Sequence, residues 1–175
     1  MSKIKLATVW LDGCSGCHMS LLDLDEGVLT LAQHADLVYS PLVDATEFPE
    51  GVDVALVEGA VWSQDDVAKL QMVRARTRVL AALGDCAVNA NVPSMRNTVP
   101  LTRLLQFVYV AGADVNGGVP AQCVPPLLAQ ARPLHDFVKV DVHLPGCPPR
   151  PEAILAMLTD MLQGRTPRLA AVKFG

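Results

Sequence analysis

The chain has 175 residues, a length that suits one globular domain able to bury a sizeable core without disulfides. Hydrophobic residues make up 51% of the chain and charged residues only 18%. This composition predicts that part of the apolar surface is covered by a partner subunit. The net charge is −4 and the basic residues are scattered, so nucleic acid is not expected as a partner. No apolar run approaches the roughly 18 residues that a membrane-spanning helix needs.

The N-terminal segment does not have the pattern of an export leader. Its apolar run, residues 6–11, is short, and Asp12 stands where a small residue should precede a cleavage site. We therefore expect a cytoplasmic protein. In a reducing compartment, five cysteines are more typical of metal binding or redox chemistry than of disulfides.

Short apolar runs alternate with helical periodicity in the first half of the chain. The sequence predicts, in order, a strand at 4–11, a helix at 18–33, strands at 36–40 and 52–57, a helix from Ser63 to about residue 76, and a strand at 78–83. The helix at Ser63 has an N-cap residue followed by two acids in its first turn.

The second half is less regular. Residues 88–126 are rich in proline and glycine, with one short helix predicted near 101–109, and an irregular stretch of this length is usually functional or bound to a partner. A strand is predicted at 138–144 and a helix at 151–162, with Gly164 at its C-terminal cap. Strands that alternate with helices predict an open parallel sheet with helices on both faces, formed by residues 1–175 as one α/β domain.

The pair Cys14 and Cys17 allows several interpretations on its own. Together with His18 it matches the C-x-x-C-H pattern of c-type haem attachment, but that attachment occurs outside the cytoplasm. A dithiol at a helix N-terminus, as in thioredoxin-like proteins, is a second interpretation. It leaves Cys86 and Cys147 unexplained.

Chain order gives the cysteines a third interpretation. Cys14 and Cys17 follow the first predicted strand, Cys86 follows the strand at 78–83, and Cys147 follows the last strand. The carboxyl ends of parallel strands share one edge, where such folds place their ligands. Four thiolates at that edge suit structural zinc or an iron-sulfur cluster. Zinc sites usually have two close cysteine pairs, whereas these four cysteines comprise one close pair and two single cysteines.

The motifs together resemble a known family. They are C-x-G-C after the first strand, Glu58-Gly59 after a central strand, G-x-C ending at Cys86, and P-G-C-P-P around Cys147. The chain resembles the small subunit of [NiFe] hydrogenases and its relative in respiratory complex I. That relative generally has adjacent cysteines in the first motif, whereas two residues separate them here, which favours hydrogenase.

The resemblance implies a flavodoxin-like domain that carries one [4Fe-4S] cluster, the proximal one. Its iron would be held by the residues matching Cys14, Cys17, Cys86 and Cys147. The expected function is electron transfer between a [NiFe] site on a large partner subunit and the iron-sulfur and flavin subunits of an NAD-reducing diaphorase module. The chain alone is not expected to be catalytic.

Other functions remain open from the residues alone. They are an electron carrier of a complex I-like quinone reductase, a structural-zinc interaction protein, and a flavodoxin-like module that binds FMN. Cys123 matches no motif and is expected to be an ordinary thiol. Glu58 is a candidate for proton transfer near the partner's metal site, or a structural carboxylate.

Overall fold

A parallel sheet of five strands forms the centre of the protein. The computed structural model describes residues 3–165 and 167. The strand order is β2-β1-β3-β5-β7, and all pairs within this sheet are parallel. This is the flavodoxin-like order, and it confirms the predicted fold class. The strands are β1 (Ile4–Trp10), β2 (Ala35–Tyr39), β3 (Val52–Glu58), β5 (Thr77–Leu83) and β7 (Val142–Leu144).

Helices cover both faces of the sheet, as expected. On one face, Leu70 and Val73 of α3 (Gln64–Arg76) and Ala87 of α4 (Asp85–Asn89) belong to one buried apolar cluster. The other face packs against α1 (Gly16–Leu22), α2 (Glu26–His34) and α6 (Pro151–Leu162). Because both faces are covered, β3 is almost continuously apolar.

Local sequence explains where α3 begins. The Ser63 hydroxyl accepts a hydrogen bond from the Asp66 N–H, and the Asp66 carboxylate accepts one from the Ser63 N–H. This capping box satisfies two backbone donors that the first turn would otherwise leave free.

The single helix predicted at 18–33 is wrong. The structure has two helices, α1 and α2, separated at residues 23–25. Asp25 has φ +50°, which no helix can continue through. The leucine periodicity runs across this break and conceals it.

The stretch at 88–126 is irregular, as predicted, with α5 (Leu101–Gln106) inside it and one π-helical turn after α5. A two-stranded antiparallel sheet of β4 (Val61–Ser63) and β6 (Leu127–Arg132) was not predicted. The predicted strand at 138–144 shortens to β7, because residues 138–141 make no ladder pairs. No helix in the described part of the chain is long and apolar enough to cross a membrane.

Candidate metal centre at the carboxyl edge of the sheet

Four strands of the central sheet end in one row. Trp10 pairs with Glu58, Glu58 with Leu83, and Leu83 with Leu144. The cysteines follow this row within three or four residues: Cys14 after β1, Cys86 after β5 and Cys147 after β7. Register therefore brings three loops that are distant in sequence to the same edge.

The four cysteines differ in exposure. Cys14 and Cys147 are exposed in their loops, whereas Cys17, in the first turn of α1, and Cys86, in the first turn of α4, are half-buried. All are free thiols. Two of the four cysteines are half-buried and two are exposed to solvent, so solvent reaches one side of the site.

The thiols share one electrostatic environment. Burial raises the pKa of Cys17 far above its ordinary value, and the charges of Glu58 and the other three cysteines at the edge raise it further. Burial also raises the pKa of Cys86 to about 11, with Cys147 and Cys14 adding to the effect. Ionisation of Cys17 and Cys86 is therefore unfavourable unless a positive charge lies close to them, and bound metal ions would supply such a charge.

Gly84 allows the loops to approach closely. It has φ +83°, and a Cβ added to it would overlap the Cys17 Sγ and lie 3.4 Å from the Gly146 carbonyl oxygen. A side chain at this position would therefore fill the space that the loops leave around Cys17.

The donor set suits an iron-sulfur cluster better than a single ion. Within residues 3–165 and 167, no three His, Cys, Asp or Glu side chains converge closely enough to hold one metal ion. A tetrahedral zinc site needs its sulfur atoms about 2.3 Å from one ion. In a [4Fe-4S] cluster, four cysteines bind separate irons, so the four thiols lie farther apart.

Glu58 lies on the same edge but is buried, with 2% of its surface exposed. Its Oε2 accepts a hydrogen bond from the His18 backbone N–H at 2.7 Å and lies 2.6 Å from His18 Nδ1. Because His18 directly follows Cys17, the Glu58 carboxylate is hydrogen-bonded to the turn that carries this cysteine.

A buried polar chain continues from His18. Its Nε2 lies 2.9 Å from the Thr8 hydroxyl, which donates a hydrogen bond to Ser40 Oγ at 2.8 Å. The four side chains that form this hydrogen-bonded series are all buried: Glu58, His18, Thr8 and Ser40. The sequence did not predict it. The available signal was a set of polar residues, Thr8, Ser40 and Glu58, within or next to apolar strands.

Two further residues are Cys123, which is expected to be an ordinary thiol, and His143, which lies in β7 one residue before Leu144. The His143 ring packs edge-on against His135, with ring centroids 5.8 Å apart, and burial lowers the pKa of His143, as does His135. Cys123 is exposed in the segment between α5 and β6.

The family model of the NADH ubiquinone oxidoreductase 20 kDa subunit matches residues 14–161. The chain belongs to this family. The matched range includes all four cysteines of the edge, Glu58 and His18. The resemblance drawn from the motifs is confirmed.

Curated relatives and a solved structure extend this match. The chain is 38% identical over 168 residues to the NAD-reducing hydrogenase HoxS subunit delta of Cupriavidus necator, covering 93% of this chain and 80% of the relative. It is 38% identical over 168 residues to the vhu F420-non-reducing hydrogenase subunit of Methanocaldococcus jannaschii, covering 95% of this chain but only 58% of the relative. The chain thus spans little more than half of the archaeal relative.

A chain in the crystal structure of an NAD+-reducing [NiFe]-hydrogenase in the H2-reduced state has the same fold. The TM-score is 0.95 at 40% identity, and the match covers 99% of this chain and 100% of that one. The two chains therefore share one fold over nearly all of the matched length.

Proposed function

We propose that this chain is the electron-transfer subunit of an NAD-linked [NiFe] hydrogenase. The observation that carries the proposal is the register of the sheet, which brings four cysteines from three distant loops to one edge. The similarity to the HoxS subunit delta and to the NAD+-reducing hydrogenase chain supports it.

Cys14, Cys17, Cys86 and Cys147 would hold one [4Fe-4S] cluster, the proximal cluster of the complex. Such a cluster accepts and releases one electron at a time. The protein supplies the thiolates, the partial burial of Cys17 and Cys86, and the loop backbone, which together set the cluster potential. The chain alone would not be catalytic.

The proposed partners are a large subunit with the [NiFe] site and the iron-sulfur and flavin subunits of an NAD-reducing diaphorase. Most of the exposed large apolar side chains among the described residues lie between residues 92 and 124. Apolar surface of this extent is typical of a surface that another subunit covers. The proposed location is the cytoplasm, in keeping with five free cysteines.

Glu58 is proposed as a proton-transfer group near the partner's metal site. Two observations support this role: Glu58 lies in the row of strand ends, and its buried carboxylate contacts His18. A carboxylate hydrogen-bonded in this way can also serve to hold the first turn of α1. The two roles are separated by a substitution that removes the titratable proton.

An electron carrier of a complex I-like quinone reductase is the second candidate, because the family model carries that description. The two residues between Cys14 and Cys17 favour hydrogenase. FMN binding stays a prediction. A complex that reduces NAD with hydrogen distinguishes the first function from the second.

Replacing the cysteines one at a time tests the proposal. We expect Cys14→Ser, Cys17→Ser, Cys86→Ser and Cys147→Ser to lose or degrade the cluster. Cys123→Ser is the control and should retain it. Iron and acid-labile sulfide per chain, with the EPR spectrum of the reduced complex, provide the measurement. Zinc in place of iron in the wild type, or loss of the cluster in Cys123→Ser alone, would refute the assignment.

A further inference from the structure

The loops that carry the cysteines are joined to each other by hydrogen bonds that the proposed function does not use. Asp85 immediately precedes Cys86, and Gly146 immediately precedes Cys147. The Gly146 N–H donates to Asp85 Oδ1 at 2.7 Å, and the Asp85 N–H donates to the Gly146 carbonyl at 2.9 Å. Each residue is thus both donor and acceptor for the other.

This Asp85 carboxylate is buried, with 3% of the residue exposed. A carboxylate that served only solubility or helix propensity would lie in solvent. Its position is instead fixed between the two loops. The backbone pairing of Gly84 N–H with the Leu144 carbonyl, at 2.8 Å, continues the sheet up to this point, and Asp85 extends the connection beyond the last strand pair.

A second link joins the Cys147 loop to α1. The Ser20 hydroxyl, one turn after Cys17, donates to the Pro149 carbonyl at 2.5 Å, and Ser20 is buried. Asp85 and Ser20 therefore hold the same loop from two sides, one next to Cys86 and the other next to Cys17.

We propose that Asp85 and Ser20 are positioning residues that fix the Cys147 loop against the other two cysteine loops before a cluster binds. The inference rests on the proposed function for the identity of the four ligands. Cys147 needs this support more than the others, because it is exposed and follows β7, an edge strand of three residues. A ligand held in place beforehand loses less conformational freedom when metal binds.

Asp141 provides a matched control. Its backbone N–H donates to the Leu80 carbonyl and its Oδ2 accepts from the Leu80 N–H, both at 2.9 Å. This is the same reciprocal pairing between the β5 and β7 segments. It lies at the opposite end of β7, away from the cysteines.

The experiment compares Asp85→Ala, Asp85→Asn, Ser20→Ala and Asp141→Ala in the full chain. Amide hydrogen exchange over residues 144–149 is measured on iron-free chain at the three residues that carry a backbone N–H, Leu144, Gly146 and Cys147. Iron and labile sulfide per chain are measured on the complex with its partner subunits. Thermal unfolding of each variant reports any general loss of stability.

We expect exchange over 144–149 to accelerate at least about fivefold in Asp85→Ala, since a buried N–H loses its acceptor. Asp85→Asn keeps an oxygen acceptor and should stay near the wild type. Ser20→Ala should accelerate exchange in the same segment, and both variants that break a link should lose iron and sulfide. Asp141→Ala should lower the unfolding temperature and keep its iron.

Three results would overturn the inference. They are unchanged exchange and iron content in Asp85→Ala and Ser20→Ala, equal losses in Asp85→Asn and Asp85→Ala, or an iron loss in Asp141→Ala as large as in Asp85→Ala. A wild-type complex without iron would instead refute the proposed function. The exchange comparison on iron-free chain does not depend on that result, so the two failures are distinguishable.

Discussion

The carboxylate of Glu58 holds His18 by two atoms, the backbone N–H at 2.7 Å and the ring Nδ1 at 2.6 Å. An ionised carboxylate only accepts hydrogen bonds, so Nδ1 carries the proton in that state. The turn that contains Cys17 is therefore oriented by the end of the central strand. Glu58 has a structural contact in addition to any role in proton transfer.

Glu58→Gln separates these two roles. The amide keeps an oxygen for the His18 N–H but has no titratable proton, so we expect the iron-sulfur spectrum to stay nearly unchanged while hydrogen turnover falls. A positioned acid or base typically contributes about 10²- to 10⁴-fold. A loss of about tenfold or more in hydrogen oxidation and evolution would fit direct proton transfer. The rates are measured on complex with full metal content.

Unchanged rates with full metal content would leave Glu58 with the structural role alone. Thr8→Val is a useful companion, because it removes the hydroxyl next to His18 Nε2 and leaves the Glu58 contact in place. If turnover falls in Glu58→Gln and not in Thr8→Val, proton transfer does not require the Thr8 hydroxyl.

Gly84→Ala should disrupt the metal centre more than the fold. Its added Cβ would overlap the Cys17 Sγ at a φ of +83°. Gly51→Ala is the control, since Gly51 also has a positive φ, +68°, with nothing within 4 Å of an added Cβ. Gly84 also has ψ +164°, a backbone region that only glycine normally adopts, so Gly84→Ala should lose about 1–3 kcal/mol from backbone strain, and Gly51→Ala about 1–2 kcal/mol. Only Gly84→Ala should also lose iron, as measured per folded chain, and equal iron in both variants would contradict this prediction.

The sequence predicted the cysteine edge because the position of a cysteine directly after a strand is a local property of the sequence. Cys86 and Cys147 each follow a predicted strand, and the carboxyl ends of parallel strands share one edge of the sheet. The partners of Asp85 and Glu58 could not be predicted in this way. Gly146 and His18 become their neighbours only through the register of β5 with β7 and of β1 with β3.

Two errors in the predicted secondary structure also concern features that the pattern of apolar residues does not show. The break at Asp25 depends on one backbone angle, and its flanking leucines fit a continuous helix. The β4–β6 pair joins residues more than 60 positions apart. Neither feature leaves a periodic signal.

Asp141 should make stability depend on pH in acid. Burial raises its pKa, but the Leu80 N–H and the Arg74 guanidinium outweigh burial and lower the pKa below 3.8. The stabilisation is therefore present at and above pH values near the unfolded pKa and is lost as pH falls through the folded pKa. Asp141→Asn should be less stable than the wild type at pH 7 by about 1 kcal/mol or less, because solvent screens the charge of this exposed residue. The difference should shrink below about pH 4, and denaturant unfolding at several pH values tests this. A difference that stayed constant down to pH 2 would contradict it.

In iron-free chain the cysteines should be alkylated in a defined order. At pH 8 a thiol of pKa about 11 is ionised in only about one molecule in a thousand, and the thiolate is the reactive form. Cys86 should therefore react slowly with iodoacetamide and Cys17 more slowly still, while the three exposed cysteines, Cys14, Cys123 and Cys147, react first. Peptide mass spectrometry over a time course gives the order. Alkylation of Cys86 as fast as Cys123 would show that its loop is open without metal.

The distribution of the cysteine loops along the chain also determines when the site can be completed during synthesis. Cys14 and Cys17 emerge from the ribosome early, but Cys147 comes after the first four strands of the sheet, and its strand β7 can pair only with β5. Until that last pairing forms, only three of the four candidate ligands, Cys14, Cys17 and Cys86, are in place, and β5 is an open edge of the sheet. Cluster insertion is therefore expected to follow translation, when the sheet has all five strands.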